Sequence, residues 1–235
     1  MSSIPDYGAG LPAQYKTGSA GDIKQFGIKK LFRMLILGPS FSGKNNLCMY
    51  ILKHSPNCFS HLHIIARNPD QELYQYLEDK LNGFITIHDP ESPPLVDSIR
   101  KSKGNGVELV IIDDYSNDKM LMERIFSHYF TRGRHLKIST ICLVHSYFAC
   151  PKMIRLNSEY VAILKANSKR DLKMLLKDFN IPNTTEDGLI RAYDKATSRK
   201  GQCLFLDSVK GEMRFNFDKP IKQSMYEYIT DSEEI

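Results

Sequence analysis

Two patterns of apolar residues alternate along the chain. Short, mainly apolar runs occupy 31–37, 61–66, 84–88, 107–112, 137–144 and 159–165, most of them closing on a polar residue or a glycine. Runs of that length and density are what strands buried on both faces of a parallel sheet require. Between them lie segments that read as helices: the apolar stretch 47–52 that leaves a glycine-rich loop, 69–81 with helical spacing through Leu73, Tyr76, Leu77 and Leu81, and 119–130 with Met120, Ile125 and Phe126 among its apolar positions. A further helix is predicted over 168–179, capped by Ser168, with Leu172, Leu175, Leu176 and Phe179 facing the sheet. Another runs from a Thr184 or Thr185 cap to Ala196. Segments 202–207 and 212–217, parted by a turn with Gly211, predict a closing β-hairpin. The alternation predicts an α/β fold: a mostly parallel central sheet flanked by helices, with a C-terminal β-hairpin.

Composition sets the boundaries. Residues 1–22 carry Gly, Pro, Ser and Ala without periodicity and read as a flexible arm, 23–220 as one α/β domain, and 221–235 as an acidic tail. With 235 residues, 42% of them hydrophobic, the chain suits one full core. No stretch has transmembrane length and no charged-then-apolar leader opens the chain, so a cytosol-like compartment is expected. The five cysteines are odd in number and widely spaced without a C-x-x-C pair, which argues against a disulfide framework and a zinc site. A formal net charge of +5 permits a polyanionic partner without pointing to one.

The most informative stretch is Gly38-Pro39-Ser40-Phe41-Ser42-Gly43-Lys44-Asn45-Asn46, between the apolar run 31–37 and a helical segment. It has the spacing G-x-x-x-x-G-K of a phosphate-binding loop in the strand-to-helix context that loop needs. Glycines permit the tight turn, backbone N–H groups wrap phosphates at the positive end of the helix, and Lys44 adds a point charge. Asn45 stands where a Ser or Thr hydroxyl would ligate Mg²⁺. Its amide oxygen can also hold a hard cation, but only if its NH₂ end faces away.

The run 107–112 ends in Asp113 and Asp114. At the carboxyl end of a buried parallel strand, Asp113 would hold Mg²⁺ and Asp114 would orient or deprotonate the attacking water. Two acids opening a turn are the plainer alternative. The run 137–144 ends in His145, either a reporter of the γ-phosphate or an ordinary strand-end histidine. Arg132 and Arg134 flank Gly133 and suit a finger that stabilises developing charge across a subunit interface; a DNA-backbone contact or a solvated turn fits as well. The basic loop 90–106, with Arg100, Lys101 and Lys103, and the stripe Lys169, Lys173 and Lys177 each read as a DNA contact or a solvated surface. His61 and His63 share a strand face with no third ligand near and read as a surface or satisfied pair.

Three segments carry a resemblance: 35–44, 110–114, and 133–148 followed by 151–155. Together they look like the genome-packaging ATPases of poxvirus type, shared by large DNA viruses, virophages and polinton-like elements within the FtsK/HerA superfamily. The resemblance spans about residues 30–180, and its third segment is the most specific, because phosphate loops alone are common. It implies a RecA-like P-loop core in which an extra strand separates the phosphate-loop strand from the acidic strand. It further implies a homo-oligomeric ring, ATP and Mg²⁺, and sequence-independent movement of double-stranded DNA into a preformed capsid. A capsid or portal vertex protein would be a partner and a membrane would not. The location implied is the viral factory of the host cytoplasm or the virion. Matched by position, Lys44 is the phosphate-loop lysine, Asp113 the magnesium acid, Asp114 the catalytic acid and Arg134 the arginine of the Gly-Arg-His segment. Asn45 departs from the usual Thr or Ser, and His145 from the usual Gln. Two other readings stand beside packaging: a DNA pump of the same superfamily with another purpose, and a nucleotide-binding structural ring subunit with weak or no hydrolysis.

Overall fold

The computed structural model describes residues 20–102, 104–165, 170–179, 181 and 184–221. The arm 1–22 lies outside these residues except for its last three positions, as do Lys103, Ser168, Lys169 and all but the first residue of the tail 221–235.

In chain order the elements are β1 (Asp22–Ile23), β2 (Ile28–Lys29), β3 (Arg33–Leu37), α1 (Lys44–Lys53), β4 (His61–Ala66), α2 (Glu72–Lys80), β5 (Ile85–Ile87) and β6 (Glu108–Asp113). There follow α3 (Lys119–Leu121), a π-helical turn (Met122–Phe126), α4 (Ser127–Thr131), a 3₁₀ turn (Gly133–Leu136) and β7 (Ile138–Val144). The chain continues through α5 (Lys152–Leu156), β8 (Tyr160–Leu164), α6 (Arg170–Asp178), α7 (Glu186–Ala196), β9 (Cys203–Asp207) and β10 (Glu212–Phe215). Each predicted strand and helix is present, with ends shifted by a few residues. The π-helical turn and the small β1–β2 ribbon leave no periodic trace in the sequence.

An eight-stranded sheet runs in the order β10-β9-β8-β3-β7-β6-β4-β5. From β5 to β8 the pairing is parallel, and the predicted hairpin β9–β10 extends it antiparallel from β8. β7 lies between β3 and β6, so an extra strand does separate the phosphate-loop strand from the acidic one. All residues of β6, β7 and β8 are buried, which accounts for apolar runs without alternation.

Period two reappears in which face each residue serves. Leu35, Leu37, Val110 and Ile112 join one core with Phe126, Phe130, Leu172, Leu175 and Leu189. Met34, Ile36, Leu109 and Ile111 join the other with Leu47, Ile51, Tyr74 and Leu77, together with Phe26 and Ile28 of the ribbon and Phe32 just before β3. α7 starts as expected, with Thr185 Oγ1 accepting the Gly188 N–H at 3.1 Å.

Several polar positions are more committed than the sequence shows. Arg100 turns inward and donates to the carbonyls of Ser102, Gly104, Gly106 and Leu136, so it ties down its own loop instead of lining a nucleic-acid track. Lys173 pairs with Glu186 of α7 at 2.7 Å, which takes the middle of the lysine stripe into a helix–helix contact. His63 is fully buried: one ring nitrogen meets His88 at 3.1 Å and the other meets Glu108 at 2.8 Å. The satisfied pairing is present, but it is an interior network built with His88 and Glu108, not a surface pair. All five cysteines are free and four are buried.

Candidate nucleotide site

The parallel arrangement places everything that follows the strands at one edge of the sheet. The chain leaves β3 through Gly38 and Pro39 and enters α1 at Lys44. Gly43 sits at φ 103°, a region closed to L side chains. A Cβ on Gly38 would fall 2.3 Å from Ser42 Oγ, so neither glycine is replaceable without opening the loop. Phe41 forms the tip, at φ 62° and 92% exposed. Lys44 is 8% exposed and folds over its own loop, donating to the carbonyls of Gly38 (2.8 Å) and Pro39 (3.0 Å). Burial lowers its pKa, and the charges of Asp113 and Asp114 oppose that shift.

Two strands away, β6 delivers Asp113 to the same cleft. Its Oδ2 accepts the Tyr74 hydroxyl at 2.7 Å. Burial raises the Asp113 pKa and Asp114 adds to the rise, while the Tyr74 hydroxyl, Lys44 and the Gln71 amide help hold the carboxylate charged. Asp114 follows at φ 65°, a left-handed conformation that Asp tolerates better than most residues. Its Oδ1 lies 3.2 Å from His145 Nε2, and its Oδ2 is 3.4 Å from Asn68 Nδ2. His145 therefore serves the predicted water-orienting acid, coming off the end of the intervening strand β7.

Ser40, Phe41, Gly43, Lys44, Asn45 and Asn46 form one wall of a cleft of about 480 Å³, and Gln71, Asp113, Asp114, His145 and Lys200 form the rest. Two of these lining residues, Gln71 and Lys200, and the Tyr74 that holds Asp113, were invisible in the sequence. Tyr74 and Gln71 come from the start of α2, and Lys200 from the turn before β9, whose Gly201 Cα would be 3.5 Å from a Cβ on Gly43. β4 pairs with β6, so the helix after β4 starts beside Asp113. Only the strand order reveals that.

Arg132 and Arg134 are not in this cleft. They precede β7, whereas the phosphate loop follows β3, and the two strands are parallel. The arginines thus sit at the opposite edge, roughly 20 Å away by the rise of a seven-residue strand. Arg132 pairs with Asp97 at 2.8 Å. Arg134 is exposed and its side chain has no hydrogen bond or ion pair among the described residues.

A glycine-edged loop with a buried lysine, facing two carboxylates of which one lies 3.2 Å from a histidine, has the chemistry to hold phosphates and to orient water. The family profile described as "Poxvirus A32 protein" matches residues 24–225. The chain belongs to the poxvirus A32 protein family. It is an ATPase of the genome-packaging type. No curated protein sequence matches this A32-family chain. Among solved structures it is similar to the genome packaging NTPase B204 from Sulfolobus turreted icosahedral virus 2 in complex with AMP. That match has a TM-score of 0.61 at 14% identity, covering 83% of this chain and 100% of that one. The same NTPase in complex with ATP-gammaS matches at TM-score 0.58 and 16% identity, over 82% and 99%. The DNA-packaging ATPase B204 from Sulfolobus turreted icosahedral virus matches at 0.58 and 15%, over 81% and 98%. At such identities these likenesses establish the P-loop ATPase fold that the A32-family chain shares with them.

Proposed function

We propose that this chain is a subunit of a homo-oligomeric ring that hydrolyses ATP with Mg²⁺ to move double-stranded DNA, without regard to sequence, into a preformed capsid. The observation that carries the reading is the convergence of Lys44, Asp113, Asp114 and His145 in one cleft of an A32-family chain. Support comes also from the fold-mates, whose solved forms hold AMP and ATP-gammaS.

Among the described residues no group of three or more His, Cys, Asp or Glu could hold a metal alone. That suits a cation shared with the substrate's phosphates, which needs only one or two protein oxygens. Asp113 and the amide oxygen of Asn45 are hard ligands of that kind, and when bound the cation would neutralise charge on the transferring phosphoryl group.

The chain's own residues do the rest. The loop N–H groups and Lys44 hold the phosphates, and Lys44 leaves the Gly38 and Pro39 carbonyls to do so. Asp114 takes or orients the proton of the attacking water, and His145 fixes the carboxylate that does it. An arginine from the neighbouring subunit, Arg134, completes the charge. Basic surfaces then grip the DNA backbone by charge. A capsid or portal vertex protein would receive the ring, in the host cytoplasm at the viral factory or on the virion. Among the described residues no helix is long and apolar enough to cross a membrane.

The test is ATP hydrolysis by the purified chain, with and without double-stranded DNA, at low and moderate salt, with Lys44→Ala as the blank. Stimulation by DNA that falls as salt rises and vanishes in Lys44→Ala is the expected result. Nucleotide binding with no turnover in any condition would favour the structural ring subunit.

A further inference from the structure

Asn45 poses a problem that a Ser or Thr would not. A hydroxyl presents oxygen however it rotates, whereas an amide presents either its oxygen or its NH₂, and the wrong end repels a cation. Here the neighbouring hydrogen bonds remove the ambiguity. The backbone carbonyl of Asn68 can only accept, and it lies 3.0 Å from the Gln71 amide, so Gln71 must turn its Nε2 toward Asn68. Gln71 Oε1 then faces Asn45 at 3.1 Å and can only accept, so Asn45 must offer its Nδ2. Asn45 Oδ1 is what remains, and among the described residues it accepts no hydrogen bond, in a side chain that lines the cleft beside Lys44 and Asp113.

Gln71 is also well held for this task. It is the capping residue of α2, and its carbonyl takes the N–H groups of Tyr74 (2.9 Å) and Gln75 (3.1 Å). Its side chain caps nothing on that helix, so the helix forgoes the stabilisation a Ser or Asp would give there. The side chain points instead at the residue that departs from the usual phosphate-loop pattern.

We propose that Gln71, locked by the Asn68 carbonyl, is a positioning residue that orients the Asn45 amide with its oxygen toward the divalent cation of the bound nucleotide. The two residues form a unit that replaces the hydroxyl of ordinary phosphate loops. The inference rests on the nucleotide reading above and adds a partner through which the metal ligand acts.

The experiment compares wild type, Gln71→Leu, Asn45→Thr and the double variant. For each, the affinity for a fluorescent ADP is measured in Mg²⁺ and in EDTA, and the ratio of the two reports the metal's contribution apart from turnover. Mn²⁺ binding to each ADP complex, followed by electron paramagnetic resonance, gives the metal affinity directly. Gln71→Leu should lower both the ratio and the Mn²⁺ affinity about tenfold, the scale of losing a second ligand-orienting contact. In the Asn45→Thr background the same change should have no effect, because a hydroxyl needs no orienting partner.

Equal losses in both backgrounds would overturn the proposal, since Gln71 would then act through Asp113 or through the fold. No loss in either background would overturn it as well. A wild-type chain that binds ADP in neither solution would bring down the nucleotide reading and this inference with it, so the two failures are distinguishable.

Discussion

Asp114 and His145 have roles that single substitutions separate. Asp114→Asn keeps the size and removes the proposed base, so kcat should fall by at least about a hundredfold, with nucleotide affinity in EDTA changing far less. His145→Leu removes the contact at 3.2 Å from the acid, and His145→Gln retains a donor there. Steady-state kinetics should therefore show a larger loss of kcat for Leu than for Gln. Equal losses would mean that the ring acts through something other than its bond to Asp114. What was readable at this scale was local. The phosphate loop is set by spacing within one turn, and the paired acids stand at the end of the apolar run 109–112. Gln71, Tyr74 and Lys200 escaped because each comes from another element, and nothing in their own neighbourhoods says which strand end they meet. His145 was legible as a cleft residue, but its partner was not.

At the scale of elements, the sheet was readable because strands buried on both faces have to be mainly apolar, as β6, β7 and β8 are. The polar residues inside it were the difficulty. His61 and His63 stand on one strand face, but their network needs His88 from β5's end and Glu108 from β6, which only pairing in the sheet brings close. Burial would raise the Glu108 pKa, but hydrogen bonds from His63, Ser102 and Lys101 outweigh it and hold the carboxyl at about 2. That contribution to stability is present above the ordinary carboxylate range and is lost as pH falls toward 2. The histidines act at higher pH. Burial, with His63 and Lys101 nearby, holds the His88 pKa down at about 4, and burial lowers those of His61 and His63. The unfolded chain takes up these protons near pH 6.5 and the folded chain resists, so stability is full above 6.5 and falls as pH drops from there toward 4. Urea denaturation midpoints measured across that window should decline with acid, and His88→Gln should flatten the decline. Every other group titrates in both proteins, so an unchanged slope would show that His88 is not held neutral by the fold.

For the whole molecule, the central consequence of the parallel sheet is that its two edges differ. The cleft lies where strands end, and Arg132 and Arg134 lie where β7 begins, so one chain cannot bring either of these two arginines to its own phosphates. In a head-to-tail ring the edge bearing the arginines can face the neighbour's cleft, and every site is then completed by the next subunit. Arg132 is tied to Asp97 and Arg134 is uncommitted, which makes Arg134 the better candidate. A mixing experiment tests this more sharply than any single variant. Lys44→Ala has a dead site and an intact arginine, and Arg134→Ala the reverse, so each ring alone should be nearly inactive. In a random one-to-one mixture, about a quarter of interfaces join an intact Lys44 to an intact Arg134, and activity should return to roughly that fraction of wild type, provided interfaces fire independently. If Arg134 acted within its own chain, or only held the fold together, no mixture could exceed the average of its two inactive parents, since every chain would still lack one group that it needs.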